Sequence, residues 1–203
     1  LRCAFCITGA QSWNPRAGEA MTPAALARRA EAALVAGART VTFLGGEPTV
    51  HIPLLLEVVA ELPVRAKLVL KTNAYGSALS RELLGGLFDV WCADYKFGND
   101  ACAERLARAP NYSATVQENL LWAAQQGDLI VRHLLMPGHV ECCWLPVAEW
   151  LATHLPGVKA SLRTGFWPGW QAHRHPELHR AVSAREAGRA RDIAAEWELN
   201  LIE

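Results

Sequence analysis

Two cysteines stand three apart near the start of the chain, in Leu1-Arg2-Cys3-Ala4-Phe5-Cys6. Thiolates at this spacing reach one metal centre or close a redox disulfide. A zinc ribbon needs a second C-x-x-C roughly 15–20 residues on, and the sequence has none there. A thioredoxin-like site needs a strand before the pair and a helix directly after it. Residues 7–21 instead read as a loop holding Trp13, Pro15 and Gly18. An iron–sulfur cluster needs three or four closely spaced thiolates, so Cys3 and Cys6 would then be members of a larger set.

Further chemistry is concentrated at the ends of apolar runs. Gly45-Gly46-Glu47-Pro48-Thr49 follows one of them. Paired glycines turn the backbone sharply and let it approach a ligand with its N–H and C=O groups available, and Pro48 stiffens the loop. No Gly-Lys-Ser/Thr follows, which excludes a nucleotide P-loop, while an ordinary βα turn has the same look. Asp94 and Lys96 are two apart, so on a strand they face the same side. An inward acid–base pair is costly unless it serves a ligand or forms a rim ion pair. Arg132 and His133 are adjacent and so face opposite sides. Arg132 suits a carboxylate through its two-pronged guanidinium, and His133, with apolar neighbours, reads as a core histidine.

Cys92, Cys102, Cys142 and Cys143 read as small buried hydrophobes. No second cysteine-rich domain is seen, which disfavours auxiliary clusters. His173, His175 and His179 lie in an Arg- and Pro-rich stretch that reads as a solvated loop rather than a metal site. With 203 residues, of which 51% are hydrophobic, the chain has no need of disulfide staples. This pattern predicts a reducing, cytoplasmic setting. Twenty basic residues balance 20 acidic ones, so no net field draws nucleic acid or an anionic membrane. The longest apolar runs are broken by Gly, Pro or charge, which excludes a transmembrane helix among them.

These residues need a scaffold, and the hydrophobic rhythm supplies one. Residues 40–44, 67–71, 89–97, 129–135 and 158–162 read as strands, with a short sixth at 199–202. Helical patterns lie between them: Thr22-Pro23 to Ala36 with Gly37 as its stop, then 52–62, 80–87, 113–126, 141–154 and 184–197. Alternating strands and helices imply βαβ units, a parallel sheet and one domain over 1–203. Sheets of this kind collect their chemistry at the carboxyl ends of the strands. Gly45 to Thr49, Thr72-Asn73, Asp94 with Lys96, residues 132–139 and residues 163–167 should therefore converge. The Cys3/Cys6 segment, ahead of the first helix, is expected to follow a strand that precedes Leu1 and to reach the same rim.

Cys3-Ala-Phe-Cys6 followed by Phe43-Leu-Gly-Gly-Glu-Pro-Thr49 resembles the radical S-adenosylmethionine enzymes. Their signature is C-x3-C-x2-C with an aromatic residue before the last cysteine. Cys3, Phe5 and Cys6 match its final part, and the first cysteine would lie two residues ahead of Leu1. Residues 89–97, Ala109-Pro-Asn-Tyr112 and Val131 to Gly138 are similar to the activating-enzyme branch, around pyruvate formate-lyase activating enzyme.

The resemblance implies an α/β fold, a partial (β/α)6 TIM-like barrel with parallel strands. It implies a 4Fe-4S cluster held by Cys3, Cys6 and the upstream cysteine, with one iron open to S-adenosylmethionine. Reductive cleavage would yield a 5′-deoxyadenosyl radical for hydrogen abstraction. By the same resemblance Phe5 packs near the adenine, and Gly45, Gly46, Glu47 and Pro48 bind the methionine amino group. Asn73, Asp94 and Lys96 surround the methionine and ribose, Arg132 pairs with the carboxylate, and Trp167 faces the adenine. Implied partners are a glycyl-radical enzyme as protein substrate and flavodoxin or ferredoxin as reductant. Two other classes compete: a barrel that binds S-adenosylmethionine without turnover, and a zinc or thiol C-x-x-C module with stoichiometric zinc and no brown colour.

Overall fold

The computed structural model describes residues 1–14, 16–63 and 66–202. Six strands form one sheet: β1 (Val41–Phe43), β2 (Leu68–Thr72), β3 (Val90–Asp94), β4 (Asp128–Leu134), β5 (Lys159–Arg163) and β6 (Asn200–Leu201). Each pairs in parallel with the next, in the spatial order β1-β2-β3-β4-β5-β6. The order never reverses. A doubly wound sheet reverses at a switch point, whereas sequential right-handed crossovers keep the helices on one face and curl the sheet. The expected partial barrel is what forms, with β1 and β6 at its edges among the described residues.

The connecting helices are α1 (Gly9–Ser12), α2 (Pro23–Val35), α3 (Ile52–Glu61), α4 (Ala78–Leu84), α5 (Asp100–Ala107), α6 (Tyr112–Ala123), α7 (Leu145–His154) and α8 (Ala184–Glu196). α2 begins where its sequence signals say. The Thr22 hydroxyl accepts from the Ala25 amide at 3.2 Å, and Gly37 leaves the helix at φ +104°. Ser183 and Glu186 cap α8 reciprocally. No helix of the described residues is long and apolar enough to cross a membrane.

Three local features depart from the sequence reading. α1 breaks the expected loop over 7–21. α5 lies where the hydrophobic pattern predicts no helix; Asn99 caps it, its side-chain oxygen accepting from the Cys102 amide at 2.8 Å. The helix expected over 141–154 divides into a π-helical turn, Val140–Trp144, and α7. Pro146 explains the division. It has no N–H to offer the Cys142 carbonyl one turn back, and that oxygen accepts from the Asn99 side-chain amide at 2.6 Å instead.

Burial alternates along β3 and β4 and on to Phe97. Trp91, Ala93, Tyr95, Val131 and His133 are buried. Their face is the one under the helices, since Trp91 meets Trp122 of α6 edge-on at 4.9 Å and His133 lies 4.8 Å from Trp144. The opposite, concave face carries Cys92, Asp94, Lys96, Ile130 and Arg132, all half-buried. That face is not the apolar lining usual for a buried parallel sheet; it is polar at the carboxyl end.

Candidate active site

The site is built from the cysteine loop and from residues at the carboxyl ends of β1 to β5. The cysteine loop lies along α5, where the Arg2 and Ala4 amides donate to the Ala107 and Leu106 carbonyls at 2.9 and 2.8 Å. Between the cysteines the chain makes a tight turn, and the Cys6 amide donates to the Cys3 carbonyl at 3.2 Å. Phe5 anchors this turn. Its ring is 3% exposed and sits about equally far, 6.1 and 6.0 Å, from Phe97 and Phe166. This packing holds the turn that carries the two half-buried thiols at the mouth. Burial pushes the Cys3 thiol up from its ordinary value, and nearby Lys96 pulls it back.

The loop after β1 is tied to its neighbours on both sides. Gly45 takes φ +152°, a region a side chain disfavours. A Cβ on Gly46 would sit 3.4 Å from Ser12, and Ser12 in turn bonds Thr8 at 2.8 Å, beside the Cys6 sulfur. Glu47 is fully engaged. Its Oε1 accepts from the Thr49 amide, the Thr49 hydroxyl and the Thr72 hydroxyl at 3.3, 2.9 and 2.8 Å, and its Oε2 from the Asn73 amide at 2.7 Å. The carboxylate therefore braces the ends of β1 and β2 against each other. Asn73 Oδ1 accepts from the Tyr75 amide at 2.8 Å, which turns the chain away from the mouth.

Asp94 and Lys96 face one side, as their spacing requires, with Nζ 2.5 Å from Oδ2. Arg132 stands opposite Asp94 in register and brings Nη1 to 3.8 Å from Oδ1. One carboxylate thus meets two cations on a half-buried surface, an arrangement complementary to a zwitterion's carboxylate and ammonium. The Lys96 amide donates to the buried Tyr112 hydroxyl at 2.8 Å, which fixes the strand end. His133 points away among core residues, as expected, with Nδ1 2.7 Å from the Tyr95 carbonyl. The loop after β5 folds back over the cysteine turn: the Gln171 amide donates to the Ala4 carbonyl at 2.9 Å, and Trp170 lies 6.3 Å from Trp13. Trp167 is on this loop and is 68% exposed.

Gly45 to Pro48, Asn73, Asp94, Lys96 and Arg132 therefore gather with Cys3 and Cys6 at one end of the sheet. A model of the Radical SAM superfamily matches residues 1–151. The chain belongs to the radical SAM superfamily. Membership implies a 4Fe-4S cluster and S-adenosylmethionine as the family's cofactors. The chain is 30% identical over 164 residues to Uncharacterized protein MJ0674 of Methanocaldococcus jannaschii, covering 81% of this chain and 48% of that relative. It thus spans about half the length of the curated relative it matches. The fold of this radical SAM chain is also that of a domain of pyruvate-formate lyase-activating enzyme from Bacteroides vulgatus, with TM-score 0.64 at 18% identity over 81% of this chain and 98% of that one. Streptococcus suis SuiB bound to S-adenosylmethionine gives TM-score 0.72 at 14% identity over 99% of this chain and 47% of that one.

The remaining cysteines depart from the buried-hydrophobe reading. Only Cys143 is buried; Cys92 and Cys102 are half-buried and Cys142 is exposed. Cys92 lies on the concave face two residues before Asp94, where burial raises its thiol pKa and Arg132 opposes the shift. His173, His175 and His179 lie in an exposed to half-buried stretch, as expected, and two of them bond backbone carbonyls: His173 Nδ1 to Trp170 at 3.2 Å and His179 Nε2 to His173 at 2.8 Å.

Proposed function

We propose that this protein reductively cleaves S-adenosylmethionine at a 4Fe-4S cluster and uses the resulting 5′-deoxyadenosyl radical to abstract hydrogen from a polypeptide. The observation that carries this reading is the meeting of two half-buried thiols, Cys3 and Cys6, with the Asp94–Lys96–Arg132 group at the mouth of a radical SAM barrel. The donor set fits the cluster: Cys3 and Cys6 are soft thiolates on one tight turn, at the spacing of the last two cysteines of the family motif. The chemistry such a cluster supplies when bound is one electron, from a flavodoxin or ferredoxin, to the sulfonium carbon–sulfur bond.

The chain's own residues bind and orient. Arg132 and Lys96 offer charge-assisted hydrogen bonds to the methionine carboxylate, and Asp94 attracts the ammonium group. The Gly45-Gly46 backbone, held in place by Glu47, presents carbonyls to the same ammonium. Phe5, Phe97 and Phe166 form the dry wall behind the thiols. Trp167, exposed on the loop that covers the cysteine turn, is available to stack on the adenine. The polypeptide substrate is supported by the relatives of like fold: one is named as an activator of pyruvate-formate lyase, and SuiB has been seen bound to precursor peptide SuiA. A glycyl-radical enzyme is the substrate we favour.

Full-length protein, reconstituted anaerobically with iron and sulfide, is expected to turn brown and to release 5′-deoxyadenosine and methionine with dithionite. Cys3→Ala and Cys6→Ala should each abolish both the visible absorption and the nucleoside. Persistence of either property in both variants would contradict the ligand assignment.

A further inference from the structure

Away from Cys3 and Cys6, a second thiol group comes together from two elements. Cys102 is on the first turn of α5, while His139 caps the π-helical turn after β4 and Cys142 and Cys143 lie on it. One metal-ligating atom from each of the four lies within 4.8 Å of every other. We propose that Cys102, His139, Cys142 and Cys143 bind a single zinc ion in a closed tetrahedral site.

Four of the tetrahedron's six edges carry the argument, the other two lying within 4.8 Å. Zinc–sulfur bonds of about 2.3 Å and zinc–nitrogen bonds of about 2.0–2.1 Å require sulfur–nitrogen edges of about 3.6 Å and sulfur–sulfur edges of about 3.8 Å. His139 Nδ1 lies 3.7 Å from Cys102 Sγ, 3.4 Å from Cys142 Sγ and 3.6 Å from Cys143 Sγ. The sulfurs of Cys142 and Cys143 are 3.9 Å apart. Three thiols and one imidazole are soft and borderline donors, which excludes magnesium and calcium and favours zinc. A polynuclear iron–sulfur cluster spreads its thiolates over several irons, further apart than these four atoms stand.

The surroundings are those of a metal site's outer shell. Asn99 Nδ2, which donates to the Cys142 carbonyl, also lies 3.4 Å from Cys102 Sγ and 3.8 Å from Cys143 Sγ. Position 98 admits only glycine, since a Cβ there would come 2.3 Å from the Cys143 carbonyl oxygen. Zinc with three thiolates carries one negative charge, and Arg105, three residues along α5 from Cys102, supplies a nearby cation. Four protein ligands leave no open position, so the role is structural. The ion joins the loop that carries Lys96 to the loop that follows Arg132, and so clamps the mouth of the barrel.

The test is metal content of the full-length protein by mass spectrometry, with cobalt substitution as a second readout. The wild type is expected to hold about one zinc per chain, and Cys102→Ser and Cys143→Ser about none. The Cys3→Ala/Cys6→Ala double variant should lose iron and keep its zinc, which separates this site from the radical SAM centre. Should the serine variants fail to fold, cobalt(II) added to metal-stripped wild type must still give the intense visible bands of a tetrahedral thiolate site. Absence of zinc together with absence of those bands overturns the proposal. So does zinc that leaves with Cys3 and Cys6, or a disulfide found among Cys102, Cys142 and Cys143 in protein isolated under reducing conditions.

Discussion

Asp94 and Arg132 stand opposite each other on β3 and β4, with Nη1 3.8 Å from Oδ1, while Lys96 holds the other carboxylate oxygen at 2.5 Å. Asp94 thereby leaves part of the guanidinium fork uncommitted at the mouth of the sheet. Neither residue is near the other in sequence; the parallel register brings them together.

If that fork receives the methionine carboxylate, Arg132→Lys should weaken S-adenosylmethionine binding although the charge is kept. Loss of a charge-assisted hydrogen bond is worth about 1.5–3 kcal/mol, or roughly tenfold or more in affinity. Anaerobic equilibrium dialysis of the reconstituted full-length protein measures it, and an unchanged affinity removes Arg132 from the site.

Glu47→Gln should be costly. The carboxylate accepts four hydrogen bonds, and an amide in its place turns a donor toward either the Asn73 amide or the threonine hydroxyls. A loss of about 1–3 kcal/mol in denaturant unfolding is expected, from one part-buried donor left unpaired. Thr49→Val, which removes a hydroxyl but leaves the other three donors, should cost less.

Stability should fall in mild acid because of His133. Burial holds its pKa down to about 4 from 6.5. A folded value below the unfolded one means that the contribution is present above pH 6.5 and is lost as the pH falls from 6.5 to 4. Its size is about 3 kcal/mol, from the two values. His133→Asn keeps an N–H near the Tyr95 carbonyl and cannot take a charge. Urea unfolding between those pH values should show a shallower slope for the variant, beneath a lower stability at neutral pH from the cavity it leaves. An unaltered slope would show that His133 is not the group responsible.

Gly98→Ala drives a methyl group against the Cys143 backbone. A loss of about 1–3 kcal/mol or more is expected from overpacking against atoms that cannot rotate away. Zinc content should drop in parallel, because the π-helical turn must shift to make room. Full zinc retention with full stability would mean that the close approach of these loops is not needed.

The strand rhythm, the N-cap of α2 and the opposite orientations of Arg132 and His133 follow from local patterns. They depend on side-chain alternation and on caps within a few residues, and such information is written along the chain. The cysteine turn and the Gly-Gly-Glu-Pro loop were legible for the same reason: each is one contiguous stretch of unusual residues.

Other features depend on which segments become neighbours, and a linear reading does not contain that. Cys102 alone looks like a small core residue, and so do Cys142 and Cys143. His139-x-x-Cys142-Cys143 does put its donors on one helical face, yet the fourth donor comes from a helix start 37 residues away in sequence. The partners of Glu47 come partly from β2 and its following loop, through Thr72 and Asn73. That Phe5 packs between Phe97 and Phe166 is likewise decided by segments distant in sequence. Local propensity names the elements and their faces. Long-range packing then assigns a side chain's partners, since the free energy of a buried donor, acceptor or thiol is set by whatever surrounds it in space.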